Sequence, residues 1–461
     1  MGAYGMVVPA FTGHLNPMTA LGRALQQRGH RVVMISPLDA ETKIRHAGLE
    51  FKALGQLEFP RGRWEEMTAR MGALSGWKAS LFCGRWLALS ARGILRDLPP
   101  ILAQESFDGI IMDQISLGTD AVCAVAGVPL AVGCAALALH FETSVPPATV
   151  GWRYHPGLWC RARNLFGHLR INYTGIPVIW EVLPFRKRYR LPRLRWDQVE
   201  QMPPSLVQLA QQPACFDYPR RHLPDHFHYT GPWQEASRES QITFPWHLLD
   251  GRPLIYASIG TLQNGLDWVY CAMAEACQNL DAQVVIALGC KGKAPPAGLR
   301  GKPIVVDYAP QLQLLERATL VITHGGLNTV LETLKAGLPL VAIPIANDQP
   351  GVGARVEYLG AGKTLPLRHL NADALRAAVR QVLSSSSFRE RARYCSGQIR
   401  SAGDQRRAAE LIEEAFSTRR RVLRQGTAAN GGRNMPGGKN LESTELAARK
   451  SGAIGGPAIE T

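Results

Sequence analysis

Short apolar runs bounded by turn residues alternate twice along this chain with segments of helical period, a pattern that favours parallel sheets flanked by helices. The first series opens with the strand-like run Met6 to Ala10. Asn16 then reads as a helix cap with Pro17 at the first helical position, Met18, Leu21 and Leu25 recur on one face, and Gly29 ends the segment before a second strand, Val32 to Ser36. Similar units follow near Gly109 to Met112 and Val128 to Gly133. A second series begins at Leu254 and continues through Gln283 to Leu288, Pro303 to Asp307, Leu320 to Thr323 and Leu338 to Ile343.

At 461 residues the chain exceeds the size at which one core keeps growing, so the two series read as two α/β domains. The expected boundaries are 1–218, a proline- and histidine-rich connector at 219–251, 252–417, and a basic tail at 418–461 whose glycine, asparagine and serine content reads as disorder. The cleft is expected between the halves.

Hydrophobic content of 46% and charged content of 19% are those of a globular protein, and no apolar run is long enough to span a bilayer. The amino end lacks the pattern of an export signal. Nine scattered cysteines, never spaced Cys-x-x-Cys, argue against a disulfide framework and a zinc site and fit a reducing cytoplasm. The net charge of +15 is concentrated in the tail and in Gly151 to Trp196, where ten Lys or Arg, among them Arg193 and Arg195, face one acid, Glu181. Trp152, Tyr154, Trp159, Tyr173, Trp180, Tyr189 and Trp196 interleave them. Single-stranded nucleic acid, an anionic membrane surface and a plain solvated face all suit such a stretch; the membrane surface is favoured, as no nucleic-acid reader motif accompanies it.

The segment from Tyr308 to Gln349 carries the most chemistry. The strand ending at Thr323 meets a helix through His324-Gly325-Gly326, with Asn328 and Thr329 in the first turn. Free backbone N–H groups and the helix dipole make that junction an anion site suited to a diphosphate, with His324, Asn328 and Thr329 as added donors. One turn on, Glu332 can accept from two vicinal hydroxyls, as a ribose offers. Tyr308 can stack on a flat base whose edge bonds the backbone from Ala309 and the Gln311 amide. Asp348 and Gln349 lie at a strand's carboxyl end and match sugar hydroxyls.

In the first half, His14 follows the first strand in a loop at the carboxyl edge of the sheet, and Asp113, after Gly109 to Met112, emerges at the same edge. Histidine is suited to take a proton from a hydroxyl near neutral pH, and a carboxylate partner would orient it and stabilise its positive charge. There is no Asp-x-Asp pair, no metal-spaced histidine or cysteine cluster and no Gly-x-Ser-x-Gly elbow, so neither a metal ion nor a serine nucleophile is expected.

These motifs resemble the nucleotide-sugar signature of UDP-dependent glycosyltransferases with two facing Rossmann-like domains, the GT-B fold. Ser258 to Gln263, Thr323 to Leu331 and Asp348 to Arg355 are most similar to bacterial zeaxanthin glucosyltransferases, and the resemblance covers Tyr4 to Phe416. It implies that Tyr308 and Gln311 hold uracil, Glu332 the ribose, and His324, Gly326, Asn328 and Thr329 the phosphates, with Ser258 and Thr261 nearby. Asp348 and Gln349 would hold the sugar, His14 would be the base and Asp113 its partner, and the transfer would invert the anomeric carbon. Plant members usually carry tryptophan at the positions of Tyr308 and Leu327; the first difference keeps an aromatic face and the second changes the sugar's outer contacts.

The expected partners are therefore UDP-glucose as co-substrate, with no cofactor, and an apolar hydroxylated acceptor held by Phe59 to Leu102 and Phe141 to Trp196. The resemblance points to a hydroxylated carotenoid, and the basic-aromatic stretch would let the protein, expected in the cytoplasm, take such a substrate from the inner face of a membrane. The same chemistry on a phenol, flavonoid, sterol or macrolide is the alternative, and a nucleotide-sugar-binding subunit without catalysis is a third reading.

Overall fold

The computed structural model describes residues 1–192, 205–235 and 242–424. Arg193, Arg195 and Trp196 of the basic stretch, and the tail beyond residue 424, lie outside the described residues.

The first half alternates β1 (Ala3–Val7), α1 (Thr12–Gln27), β2 (Arg31–Ser36), α2 (Glu41–His46) and β3 (Glu50–Ala53). Two helices, α3 (Arg63–Gly72) and α4 (Gly76–Gln104), precede β4 (Gly109–Asp113), α5 (Thr119–Ala126) and β5 (Leu130–Cys134). The 31-residue α6 (Leu158–Arg188) then leads to β6 (Val207–Ala210) and β7 (Phe227–Tyr229). All pairings in this sheet are parallel, in the order β3-β2-β1-β4-β5-β6-β7. β7 falls inside the stretch read as connector, because Phe227 is fully buried and its strand pairs with β6.

The second half contains β8 (Leu254–Ser258), α7 (Asp267–Cys277), β9 (Gln283–Ala287), β10 (Ile304–Val306), α8 (Gln311–Leu315) and β11 (Ala318–Thr323). It continues with α9 (Leu327–Lys335), β12 (Leu340–Ala342), α10 (Gln349–Leu359), β13 (Gly362–Thr364), α11 (Ala372–Ser384) and α12 (Ser386–Ser401). Its strands run parallel in the order β10-β9-β8-β11-β12-β13. The last helix, α13 (Gln405–Thr418), crosses back and packs on α1, burying Leu411, Ile412 and Phe416 in the core of the first sheet.

Apolar runs such as Ile110 to Met112 and Val284 to Ile286 are buried on both sides of their sheets, as helix-covered parallel strands require. In each sheet the strand order reverses once, between β1 and β4 and between β8 and β11. A crevice opens at the carboxyl ends of the strands where that order reverses. The two crevices place His14 and Asp113 on one side, Ser258 and His324 on the other.

The start of α1 differs from the sequence expectation. Phe11, not Asn16, is the N-cap, and Pro17 lies inside the helix. Phe11 is anchored by edge contacts with Trp64 and Trp86, at ring separations of 4.8 and 4.7 Å, and this sets the entry of the chain into the helix. His14 therefore sits in the first helical turn rather than in a loop. Pro17 has no N–H to offer the Gly13 carbonyl four residues earlier. That carbonyl instead accepts from the Asn328 side chain of the second half, at 2.9 Å.

Candidate active site

A cavity of about 810 Å³ lies between the two sheets. His14, Ser258, Thr261, Tyr308, Gln311, His324, Gly326, Asn328, Thr329, Glu332, Asp348 and Gln349 all line it. Asp113 does not. It is fully buried behind His14, with Oδ2 2.8 Å from His14 Nδ1, while Oδ1 accepts from the Ile115 backbone at 3.0 Å. That anchoring fixes the carboxylate, assigns the proton of a neutral imidazole to Nδ1 and leaves Nε2 as the basic nitrogen.

Burial opposes protonation of His14. The charge and hydrogen bond of Asp113, with the charge of Asp348 across the cleft, outweigh it and raise the pKa above the ordinary 6.5. Asp348 precedes α10, and burial raises its own carboxyl above the usual range, partly offset by the Leu137 N–H and by His14. Acid and imidazole thus face each other from opposite halves.

On the second side, Gly326 caps α9, and Asn328 and Thr329 occupy the first turn with the helix N-terminus open to the cavity. His324 lies against that turn. Burial pushes its pKa down to about 4, so near neutrality it is an uncharged donor. Its ring is seated between two glycines: a Cβ on Gly260 would stand 2.5 Å, and one on Gly326 2.6 Å, from His324 Cε1. Gly260 also has φ of +76°, a conformation that favours glycine. Ser258 Oγ donates to the Ala287 carbonyl and accepts from Gly260 N–H, so it shapes this turn, and Thr261 follows directly.

The groups expected at the base and ribose form a chain. Tyr256 Oη donates to Gln311 Oε1 at 3.1 Å, and Gln311 Nε2 donates to a Glu332 carboxylate oxygen. Tyr308 is 44% exposed at the cavity wall, leaving a ring face available for stacking. Gln349 is buried: its Oε1 accepts from Ile345 and Ala346 N–H, both at 2.9 Å, and its Nε2 donates to Gln263 Oε1 at 2.8 Å. Its amide oxygen is therefore committed to shaping the loop, and its amide nitrogen to Gln263.

Two residues were missed by sequence reasoning. Gln263 is fully buried, lines the cavity and has an Nε2 without a hydrogen-bond partner among the described residues. Its signal was its place at the end of the Ser258 to Gln263 motif. Gln211, just past β6, donates to the Asn328 Oδ1 at 2.8 Å. With the Gly13 contact it commits the Asn328 amide to the other half of the protein. Nothing in the local sequence pattern marks a pairing across 117 residues.

Among the described residues no group of three or more His, Cys, Asp or Glu is gathered as metal ligands are.

Residues 190–399 match the family model described as UDP-glucoronosyl and UDP-glucosyl transferase. The chain is 29% identical over 430 residues to the zeaxanthin glucosyltransferase of Pantoea ananas, covering 92% of this chain and 98% of that protein. The zeaxanthin glucosyltransferase of Pseudescherichia vulneris is also 29% identical, with coverage of 90% and 98%. Among solved structures, the glycotransferase of kitacinnamycin superposes with a TM-score of 0.67 over 90% of this chain and 99% of that one, at 21% identity. That likeness establishes the same two-domain fold.

Proposed function

From the premise that this chain is a glycosyltransferase of the GT-B fold working with a UDP-sugar, we propose that it transfers glucose from UDP-glucose to a hydroxyl of zeaxanthin or a related hydroxylated carotenoid. The observation that carries the mechanism is the His14–Asp113 pair facing the α9 N-terminus across one cavity.

In this reading His14 Nε2 takes the proton of the acceptor hydroxyl as its oxygen attacks the anomeric carbon. The bond from that carbon to the diphosphate oxygen breaks on the opposite side, which inverts the centre and gives a β-glucoside. Asp113 stabilises the imidazolium formed. UDP leaves with its new charge facing the α9 backbone N–H groups, His324 and Thr329, so no divalent ion is required. Tyr308 stacks on uracil, Gln311 bonds its edge, and Glu332 accepts from the ribose. Asp348 and the Gln263 amide nitrogen hold sugar hydroxyls, with Gln349 shaping the loop around them and Ser258 and Thr261 lining the phosphate turn.

The carotenoid is supported by the names of the two relatives and by the apolar side of the cavity, where Phe11, Trp77, Leu87, Leu139, Ile171 and Val178 line the wall. Such an acceptor dissolves in lipid, so the enzyme works in the cytoplasm at a membrane's inner face. No helix among the described residues is long and apolar enough to cross that membrane. The test is turnover of UDP-glucose, with chelator present, on a panel of zeaxanthin, sterols and phenols, with products identified by mass. A hexose added to zeaxanthin supports the reading; transfer only to another acceptor keeps the chemistry and overturns the carotenoid, and UDP binding with no product overturns catalysis.

A further inference from the structure

Helix α6, the longest among the described residues, has two apolar faces, and the described residues cover only one of them. Helix α6 buries Val178 and Val182 against Ala88 and Ala91 of α4, and the helices touch where a Cβ on Gly84 would stand 2.1 Å from the Thr174 carbonyl. On the opposite face stand Leu158, Trp159, Phe166, Tyr173, Trp180 and Leu183, all exposed, Trp159 by 90% and Trp180 by 71%. At about 100° per residue their spacings place them within about a third of the helix circumference. Side chains this large normally bury themselves, and a soluble surface seldom carries a continuous row of them.

The charges beside the row are of one sign. Arg163, Arg170, Lys187 and Arg188 flank or end it, whereas the sole acid of the helix, Glu181, is held by Arg92 at 2.6 Å. The row also reaches the cavity. Tyr173 stacks on Trp77 at 6.2 Å, the Arg170 guanidinium lies 4.6 Å over the Trp77 ring, and Trp77 and Arg170 both line the cavity wall.

We propose that this face of α6 is the surface that seats the protein on an anionic lipid membrane, and that the cavity mouth beside the Trp77–Arg170 contact is the port through which a lipid-dissolved acceptor enters. Exposed Trp and Tyr suit the headgroup level and the flanking cations suit its phosphates. The port deepens the carotenoid reading and rests on it; the membrane seat stands on the surface alone.

The test is co-sedimentation of the full chain with vesicles of phosphatidylcholine, with and without phosphatidylglycerol. The expected result is binding that depends on phosphatidylglycerol and weakens with salt. The triple variant Trp159→Ser, Phe166→Ser, Trp180→Ser is expected to lose about tenfold or more of it, and Lys187→Glu with Arg188→Glu about fivefold for each residue changed. None of these residues lines the cavity, so both variants should keep wild-type UDP affinity, which controls for misfolding. Wild-type protein that ignores anionic vesicles, or a triple variant that binds them equally, overturns the seat. So does a dimer in solution that the triple variant dissolves, or single-stranded RNA that displaces the protein from vesicles at equal phosphate. Failure of the carotenoid reading would look different: vesicle binding intact, with no zeaxanthin product even in detergent. Transfer from vesicles that survives the triple variant, while binding is lost, overturns the port.

Discussion

His14 Nδ1, in the first turn of the helix that follows β1, lies 2.8 Å from a carboxylate oxygen of Asp113, the last residue of the neighbouring strand β4. The carboxylate is wholly buried, so its charge acts on the imidazole with little screening by water.

Removing the imidazole should therefore abolish transfer without emptying the nucleotide site. His14→Ala is expected to lower kcat by about 10²–10⁴ while UDP affinity, measured calorimetrically, stays within about twofold. Equal loss of both would mean that His14 serves structure rather than proton transfer.

The pH dependence carries a sign. His14 accepts a proton only when neutral, and its pKa stands above 6.5, so kcat/KM must fall as pH drops through that raised value. Asp113→Asn removes the leading raising influence while burial remains. Its acid limb should move to lower pH, with a lower plateau rate. A limb that stays in place would separate the titrating group from this pair.

The Asn328 bridge to Gly13 predicts a coupling between proline and asparagine. With Pro17 present the Gly13 carbonyl depends on Asn328, so Asn328→Ala should cost about 1–2 kcal/mol of unfolding free energy. In a Pro17→Ala background the new N–H can take that carbonyl within the helix, and the same substitution should cost less, a difference read from a double-mutant cycle in urea. Additive losses would show that the carbonyl finds another partner.

Gly260 is set by the His324 ring. Gly260→Ala drives a Cβ to 2.5 Å from that ring in a backbone conformation alanine rarely adopts, and should weaken UDP binding about tenfold or more. Unchanged affinity would remove His324 from the phosphate site.

Several strands were legible because buried parallel strands are continuous apolar runs: Leu254–Ser258 and Gln283–Ala287 were marked to within a residue, whereas β1 runs Ala3–Val7 rather than Met6 to Ala10. That the polar residues of Tyr308 to Gln349 line one cavity was legible because they follow one another in order at strand ends and a strand-to-helix junction. What escaped was decided by distant contacts. The helix at Phe11 begins early because Trp64 and Trp86 hold its cap, and Phe227 pairs as a strand only because β6 lies beside it. The commitment of Gln349 to Ile345, Ala346 and Gln263 is likewise tertiary, since the pattern gives an amide but not what it bonds.

The central claim, single-displacement transfer with His14 as base, is tested most directly by the anomeric configuration of the product. Proton NMR of the glycoside formed from UDP-glucose should show the large anomeric coupling of a β-glucoside from the first turnover onward. An α-glucoside would contradict in-line attack by a hydroxyl activated at His14 and would require a different arrangement of acceptor and donor in the cleft.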